Sequence, residues 1–357
     1  MNKKKIIKSI YIPISNVSNK YIEIVQKSMK MNGIEIAGIK TQKSLKKLWD
    51  IDIVNLNWFE ARVNYKNPIK AAVAYFMNIL LLYLFKICRI KIIVTLHNLI
   101  THDVYNKKIS EKFLVKICSM ADALVVMNHY SFTRLKELGD IDFCNKAYLI
   151  PHPTYSGAYC DGIKVNLDDD YFNLLFVGQV RPYKNIELIL KVAKHFQNKK
   201  IRFYICGYAD NTDYRHEIEK KSANSNVILN LKFLDDRELI GWIEASDALL
   251  LPYSNKSSLN SGTSILAFSC ATTVIGTLTG TLREFPNDLI YSYEYNSERD
   301  HYMKICEAID NAYMDYKKNR IDYENKGIKL KKLVDTDCSI ESIGKKYREL
   351  YDELINK

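Results

Sequence analysis

The chain has 357 residues, of which 47% are hydrophobic and 26% are charged. These values exclude a predominantly disordered chain, and the length predicts two α/β domains rather than one. The formal net charge of +11 favours anionic partners such as nucleotides, acidic lipids or nucleic acid, although lysine enrichment in an AT-rich genome explains the same excess equally well.

Strand-like and helix-like segments alternate through the first 150 residues, which is the pattern of a parallel sheet covered by helices. The predicted strands are Ile6–Ile12, Ile34–Ile39, Ile51–Leu56, Lys91–Leu96, Ala123–Met127 and one that ends at Ile150. The predicted helices are Tyr21–Met31, Pro68–Cys88, Ser110–Met120 and one that begins at Ser131. Together they make one doubly wound unit.

An irregular polar stretch over Tyr155–Asp170 predicts a linker, and the alternation then starts again. The second set of strands is Leu174–Val177, Arg202–Cys206, Val227–Leu231, Ala248–Leu251 and Thr273–Ile275. The second set of helices is Asn185–Lys199, Arg237–Ala245, one from Thr263 and a C-terminal series. We therefore expect domains over residues 1–160 and 161–340, and a C-terminal helix over 341–357 that packs back on the first domain.

Cysteine usage and hydropathy point to a cytosolic protein. The eight cysteines are scattered and form no C-x-x-C pair, which is typical of reduced, buried thiols. The N-terminus lacks a secretory pattern, and the longest apolar run, Ala71–Phe85, is shorter than the roughly 20 residues that span a bilayer. No transmembrane helix is expected. The sequence also lacks the G-x-G-x-x-G and P-loop motifs, which argues against ordinary dinucleotide and P-loop enzymes.

The segment Leu174–Lys184 joins an apolar strand to a glycine, two cations and a helix. Gly178 permits a sharp backbone turn, and Arg181 and Lys184 stand at the helix entrance, where free N–H groups favour a diphosphate. The alternative is a solvated basic loop that binds no phosphate.

A second strand-to-helix segment, Leu251–Phe268, contains Ser261, Gly262, Thr263 and Ser264. Their hydroxyl and N–H groups are suited to an anion at a helix N-terminus, while an ordinary Ser/Thr N-cap is the alternative. Two such helix starts in one domain indicate a pyrophosphate site.

In the first domain, His97 and Asn98 end a strand, and His102 and Asp103 follow shortly. A histidine beside a carboxylate is suited to acid/base chemistry, although Asp103 is equally suited to cap a short turn. His152 lies at another strand end, where structural and functional roles are equally plausible.

Together these residues resemble glycosyltransferases of the GT-B fold, particularly bacterial members that assemble capsular or exopolysaccharide. The motifs that carry the likeness are D-I-V…W-x-E over Asp52–Glu60, T-x-H-N…H-[DE] over Thr95–Asp103, I-P-H-x-x-Y over Ile150–Tyr155, G-x-x-R-x-Y-K over Gly178–Lys184, and L-P-Y…S-G-x-x-x-L-A over Leu251–Ala267 with Gly280 and Glu284 downstream.

The resemblance implies an α/β, GT-B architecture of two Rossmann-like doubly wound domains that face a central cleft. It implies that Arg181 and Lys184 bind the donor pyrophosphate, with Gly178, Tyr253, Glu284 and the Ser261–Ser264 loop on the donor side. His97, His102 and Asp103 would face the transferred sugar or acceptor, with Asn98 and His152 also in the cleft. Ser258 and Leu266 replace a glutamate pair usual in retaining relatives, so neither stereochemistry nor donor sugar is assigned.

The expected substrates are a UDP- or GDP-sugar donor and a glycan or lipid-linked glycan acceptor, with no metal or other cofactor. We also expect reversible contact with an anionic membrane at its cytoplasmic face, through Lys3, Lys4, Lys5 and the segment Lys86–Lys91. Ala71–Phe85 either joins this contact or covers the sheet as a buried helix. A nucleotide-sugar epimerase of the same fold would act on the donor alone. A nucleic-acid-binding protein would need clustered basic and aromatic residues, and the basic residues here are dispersed.

Overall fold

The computed structural model describes residues 6–16, 19–42, 44–98, 104–138, 141–223, 225–254 and 259–357. The strands in these ranges are β1 Ile7–Ile12, β2 Ile34–Ala37, β3 Ile53–Asn57, β4 Lys91–Thr95, β5 Ala123–Val126, β6 Ala147–Leu149, β7 Phe172–Val177, β8 Ile201–Cys206, β9 Val227–Asn230, β10 Ala248–Leu251, β11 Thr273–Thr277 and β12 Tyr291–Tyr293. The helices are α1 Tyr21–Met31, α2 Leu45–Trp49, α3 Pro68–Ile87, α4 Lys107–Met120, α5 Tyr130–Glu137, α6 Ile141–Asn145, α7 Ile186–His195, α8 Thr212–Ser222, α9 Asp236–Glu244, α10 Gly262–Ser269, α11 Glu298–Lys318, α12 Arg320–Asp337 and α13 Ile340–Asn356.

The chain divides into two compact units. Unit 1 comprises residues 1–153 and 338–357, and unit 2 comprises residues 154–337. The predicted boundary after residue 160 therefore falls inside unit 2. The predicted linker, Tyr155–Asp170, has no helix or strand and belongs to that unit.

Unit 1 is built on a parallel six-stranded sheet in the order β2-β1-β3-β4-β5-β6. All five residues of β3 are buried, and its register pairs Asn57 with Thr95 at the end of β4. Because parallel strands end at the same edge of the sheet, the residues that follow β3 and β4 come together there. This register places Trp58 and His97 at one edge.

The C-terminal helix α13 is part of the core of unit 1. Its buried face packs against α1, and Tyr347, Leu350 and Tyr351 join the same apolar cluster as the first strands. Gly344 allows the close approach, since a Cβ at this position would lie 2.4 Å from the carbonyl oxygen of Ser28. The chain therefore returns to its first unit after completing the second.

Unit 2 has a parallel six-stranded sheet in the order β12-β11-β10-β7-β8-β9. The chain proceeds from β7 through β8 to β9 on one side, and from β10 through β11 to β12 on the other, so that neighbouring strands β7 and β10 form a topological switch point. The prediction of two doubly wound parallel units is confirmed.

Four of the helices and strands in the described ranges were not predicted. Helix α8 has only Tyr214, Ile218 and Ser222 buried in an otherwise charged segment, so its sequence shows little apolar periodicity. Strand β12 has three residues, and helices α2 and α6 have five each, which is too short for a periodic signal. Such elements are ordered by their neighbours in the fold rather than by their own pattern.

The helix predicted over Pro68–Cys88 is present as α3. Asn67 caps it by accepting from the backbone N–H groups of Ile69 and Lys70, and Pro68 begins its first turn. At 20 residues it extends beyond the apolar run, and by length and composition alone it is sufficient to cross a membrane. The length argument against a spanning helix is therefore corrected. Only part of α3 is buried, at Ala71, Asn78, Ile79, Leu82 and Phe85.

Candidate functional site

The switch point of unit 2 gathers the segments predicted to bind the donor. Gly178 follows β7 directly, and Pro252 and Tyr253 follow β10. In open α/β sheets, the crevice outside the carboxyl ends of strands at such a point is where ligands bind. The positions of both predicted segments agree with that rule.

Two glycines allow a close backbone contact between the loops at the carboxyl ends of β7 and β8. Gly178 and Gly207 have φ angles of +137° and +135°, and a Cβ on Gly207 would lie 1.9 Å from the carbonyl oxygen of Gly178. Only glycine fits this close approach. Gly207 was missed by the sequence analysis, although it follows an apolar strand in the same way as Gly178.

Lys184 lies among tyrosine rings after β7. Its Nζ is 4.0 Å from the ring centroid of Tyr253 and 5.1 Å from that of Tyr183. Burial lowers the pKa of Lys184, but both tyrosines raise it, and the net pKa is above the usual value. The side chain is therefore a cation at neutral pH, partly shielded from water and stabilised by ring faces.

Arg181 precedes the short 3₁₀ turn Pro182–Lys184, and its Nη2 donates to Asp210 Oδ2 at 2.6 Å. Both side chains are partly exposed, so an anionic ligand can replace Asp210 as the partner of Arg181. Asn185 adopts a left-handed conformation with φ of +56° and donates from Nδ2 to the Pro252 carbonyl oxygen at 2.8 Å. This bond ties the loop after β7 to the end of β10.

The predicted Ser261–Ser264 loop forms the N-terminus of α10. Ser261 caps the helix, since its Oγ accepts from the N–H and the hydroxyl of Ser264, and its own N–H donates to Thr281 Oγ1 at 2.9 Å. Ser264 is fully buried, whereas Gly262 and Thr263 are half-buried. The cap uses the serine hydroxyls, so Gly262 and Thr263 are the members accessible to a ligand.

Glu284 is exposed in a 3₁₀ turn that follows β11, beside Thr281. Of the two positions that replace the glutamate pair, Leu266 is buried and Ser258 lies outside the described residues.

In unit 1, His97 belongs to a hydrogen-bond network of buried polar side chains. Its Nε2 is 3.0 Å from Asn57 Oδ1, and Asn57 Nδ2 donates to Asn55 Oδ1 at 3.2 Å. Asn55 Nδ2 in turn donates to the hydroxyl of Tyr351 in α13 at 3.5 Å. Because Asn57 uses its amide group as the donor to Asn55, its oxygen accepts from His97, and the imidazole carries its proton on Nε2.

Aromatic rings surround His97. Trp58 stacks on it at a centroid distance of 3.8 Å, and Tyr21 meets it edge-on at 4.9 Å. Trp58 has φ of +47°, a left-handed conformation that costs free energy in a non-glycine residue, directly after β3. His152 lies 5.0 Å from the same Tyr21 ring, and its Nδ1 donates to the Pro153 carbonyl oxygen at 2.8 Å. The fold thus brings His97 and His152 to one cluster.

Burial keeps both histidines neutral at neutral pH. It lowers the pKa of His97 well below the usual value, with a further decrease from His152, and it lowers the pKa of His152 to about 4 despite the bond to Pro153. Neutral imidazoles accept and donate hydrogen bonds but carry no charge to a phosphate. This cluster is therefore suited to uncharged hydroxyl groups.

Glu60 is another group of unit 1 whose pKa is shifted by burial. Burial raises its pKa to about 7, and neither carboxyl oxygen has a hydrogen-bond partner among the described residues. Asn57 and Tyr21 were missed, and Trp58 and Glu60 were noted only as motif residues. The sequence did contain a signal for Asn57, because Asn55 and Asn57 interrupt an apolar strand and buried amides need hydrogen-bond partners.

His102 and Asp103, the leading predicted acid/base pair, lie outside the described residues. The described residues on either side bond to the end of β3 and to the connection that follows it. His97 bonds to Asn57 on one side, and on the other the Tyr105 N–H donates to Asn64 Oδ1 at 3.0 Å. Asn98 is half-buried. Within the described part of the chain, no group of three or more His, Cys, Asp or Glu side chains is arranged to hold a metal ion.

Residues 163–326 match the family model Glycosyl transferases group 1. This match lies wholly within unit 2 and contains its predicted donor residues. A curated relative, GDP-mannose:glycolipid 4-beta-D-mannosyltransferase of Xanthomonas campestris pv. campestris, is 31% identical over 103 residues. That alignment covers 29% of this chain and 29% of the relative, so the chain spans under a third of the curated relatives it matches.

Solved structures match over nearly the whole chain. HepE of Anabaena, in complex with UDP and glucose, has a TM-score of 0.65 at 11% identity, covering 97% of this chain and 100% of its own. Sucrose-phosphate synthase of Thermosynechococcus elongatus has a TM-score of 0.71 at 13% identity, covering 99% and 100%. These likenesses show the GT-B fold and confirm the predicted fold class. The family model agrees with the predicted resemblance to glycosyltransferases over residues 163–326.

Proposed function

We propose that the protein transfers a hexose-type sugar from a nucleoside diphosphate donor to a glycan or lipid-linked glycan acceptor in surface polysaccharide biosynthesis. The observation that carries the proposal is that Gly178, Arg181, Lys184 and Tyr253 gather at the β7/β10 switch point of the unit that matches the family model. Cations in such a crevice are suited to a diphosphate.

In this reaction, the bond between the anomeric carbon and the diphosphate oxygen breaks, and an acceptor hydroxyl oxygen bonds to the anomeric carbon. Lys184 and Arg181 stabilise the negative charge that develops on the leaving diphosphate. The hydroxyl proton passes to a base, for which Asp103 is the leading candidate if the anomeric centre is inverted, with His102 and His97 near it in sequence. The neutral cluster of His97 and His152 is suited to orient hydroxyl groups.

The donor nucleotide is UDP or GDP. The mannosyltransferase relative is named for GDP-mannose and HepE holds UDP, so both belong in the first assays. The same relative is named for a glycolipid acceptor, which supports a lipid-linked acceptor here. We further propose that the protein works in the cytoplasm, in reversible contact with the anionic inner face of the plasma membrane, as its net charge of +11 favours.

The test uses the full chain with UDP-glucose or GDP-mannose, each with and without a lipid-linked glycan. We expect binding of one nucleoside diphosphate in calorimetry and an acceptor-dependent sugar product. Isomerised donor formed without acceptor would identify an epimerase instead. Tight duplex DNA binding without any nucleotide binding would remove the proposal altogether.

A further inference from the structure

Helix α3 presents a continuous apolar face to solvent along its length, here called the α3 face. Its members are 48% to 73% exposed and are Ile69, Val73, Phe76, Met77, Leu80, Tyr83 and Ile87. Spacings of three and four residues place these side chains on one side of a helix. An exposed apolar surface of this extent marks an interaction site.

The opposite side of α3 is held by unit 1. Ala71, Ile79, Leu82 and Phe85 are buried, and the helix packs against the turn Phe59–Val63, α4 and β4. Crossing a bilayer would expose these contacts and leave the sheet uncovered. The helix is therefore placed to lie on a membrane rather than to span it.

Basic residues lie within and beside α3. From Asn64 to Lys91 the sequence has five basic residues and no acidic residue. Lys66 Nζ lies 5.4 Å from the ring of Tyr105, and Lys116 Nζ of α4 lies 5.9 Å from the ring of Tyr83. Tyrosine rings beside lysine ammonium groups are typical of the boundary between lipid chains and headgroups.

We propose that the α3 face inserts into the headgroup boundary of an anionic phospholipid bilayer, with the helix axis in the membrane plane. Lys66, Lys70 and Lys116 then reach lipid phosphates. This inference rests on the proposed function, for which it names the lipid partner of unit 1. Pairing of two α3 faces from two copies is disfavoured, because it would bring like charges together.

The sequence alone suggested a contact that depends mainly on charge, which salt would screen within about 10 Å at 0.1 M ionic strength. The exposed apolar side chains change that expectation. Charge steers the protein to the surface and apolar insertion retains it, so vesicle binding weakens with salt but persists.

The test is vesicle flotation of the full chain with phosphatidylcholine vesicles that contain phosphatidylglycerol, at low and high salt. The double variant Phe76→Glu/Leu80→Glu is compared with Ile321→Glu/Ile328→Glu on α12 of unit 2, whose side chains are similarly exposed. Both variants change the net charge equally. We expect the α3 variant to lose vesicle affinity by at least about tenfold and the α12 variant to lose little.

A second measurement uses Phe76→Trp, whose fluorescence should shift to the blue on adding vesicles, whereas that of Ile321→Trp should not. Equal loss of affinity in both double variants, absence of wild-type binding, or a dimer that only the α3 variant dissociates would overturn the proposal. So would retention in the vesicles after alkaline extraction, which marks a spanning helix. Calorimetry with UDP or GDP on the same proteins reports separately on the proposed function.

Discussion

The pKa shifts in the two candidate sites favour opposite charge states of the side chains. In unit 2, Lys184 and Arg181 are partly accessible cations, and the environment of Lys184 raises its pKa. In unit 1, His97, His152 and Glu60 are buried, and each has its pKa shifted toward the neutral form. Unit 2 therefore presents cations that are suited to an anion, whereas burial in unit 1 favours the neutral forms of its histidines and of Glu60.

The largest expected effect is a slower chemical step with unchanged donor binding. If transfer inverts the anomeric centre, Asp103→Asn should lower kcat by about 10²–10⁴, because the base is lost while the amide keeps the shape. Single-turnover kinetics measure the step, and calorimetry should give an unchanged donor Kd. Product NMR that shows retention would take the base role away from Asp103.

The variant Glu60→Gln tests whether burial in unit 1 disfavours the charged form of Glu60. Its pKa of about 7 exceeds the usual value near 4.5, so the folded state binds more protons between these values, and stability falls as the pH rises through this range. Glu60→Gln should remove that loss and raise the free energy of unfolding at pH 8 by about 2–3 kcal/mol, with little change at pH 4.5. Denaturant unfolding at the two pH values measures it.

The buried histidines have the opposite pH dependence. Their pKa values are lowered, so the unfolded state binds more protons, and their contribution is lost as the pH falls below about 6.5. If the Glu60→Gln variant kept the alkaline loss of stability, that loss would not come from Glu60. The wild-type Glu60 carboxylate would then have a partner, and unit 1 would tolerate its charge.

Lys184→Ala tests the cation of unit 2. Loss of a charge-assisted bond of about 1.5–3 kcal/mol should raise donor Kd by about tenfold or more. Lys191→Ala is the matched control, since Lys191 is also a lysine above a tyrosine ring, with Nζ 4.4 Å from Tyr302. Calorimetry that gives the same Kd for both variants would reject the assignment.

The smallest effect concerns Arg181. Asp210→Asn removes its partner at 2.6 Å and should tighten donor binding a few-fold, since exposed pairs contribute at most about 1 kcal/mol. Asp213→Asn removes an exposed carboxylate in the same unit and serves as the control. Weaker binding in Asp210→Asn alone would mean that Asp210 holds Arg181 in its binding position.

The sequence determined the order of most strands and helices, because periodicity and strand-end glycines are local properties of the chain. It predicted α1 with the bounds observed, and it identified Gly178, Arg181 and Lys184 after β7. It also predicted α3, since Asn67 and Pro68 cap a long apolar run. Periodicity alone did not reveal which side of that helix would face solvent, because both sides are apolar.

The tertiary structure decided which side chains meet. His97 reaches Asn57 because the register of β3 and β4 pairs strand ends 40 residues apart in sequence. Tyr351 joins Asn55 only because α13 returns to unit 1. The pKa shifts of Glu60 and the histidines follow from burial, which depends on the packing of many distant segments. A local pattern determines an element, whereas a site depends on how elements far apart in the chain are packed together.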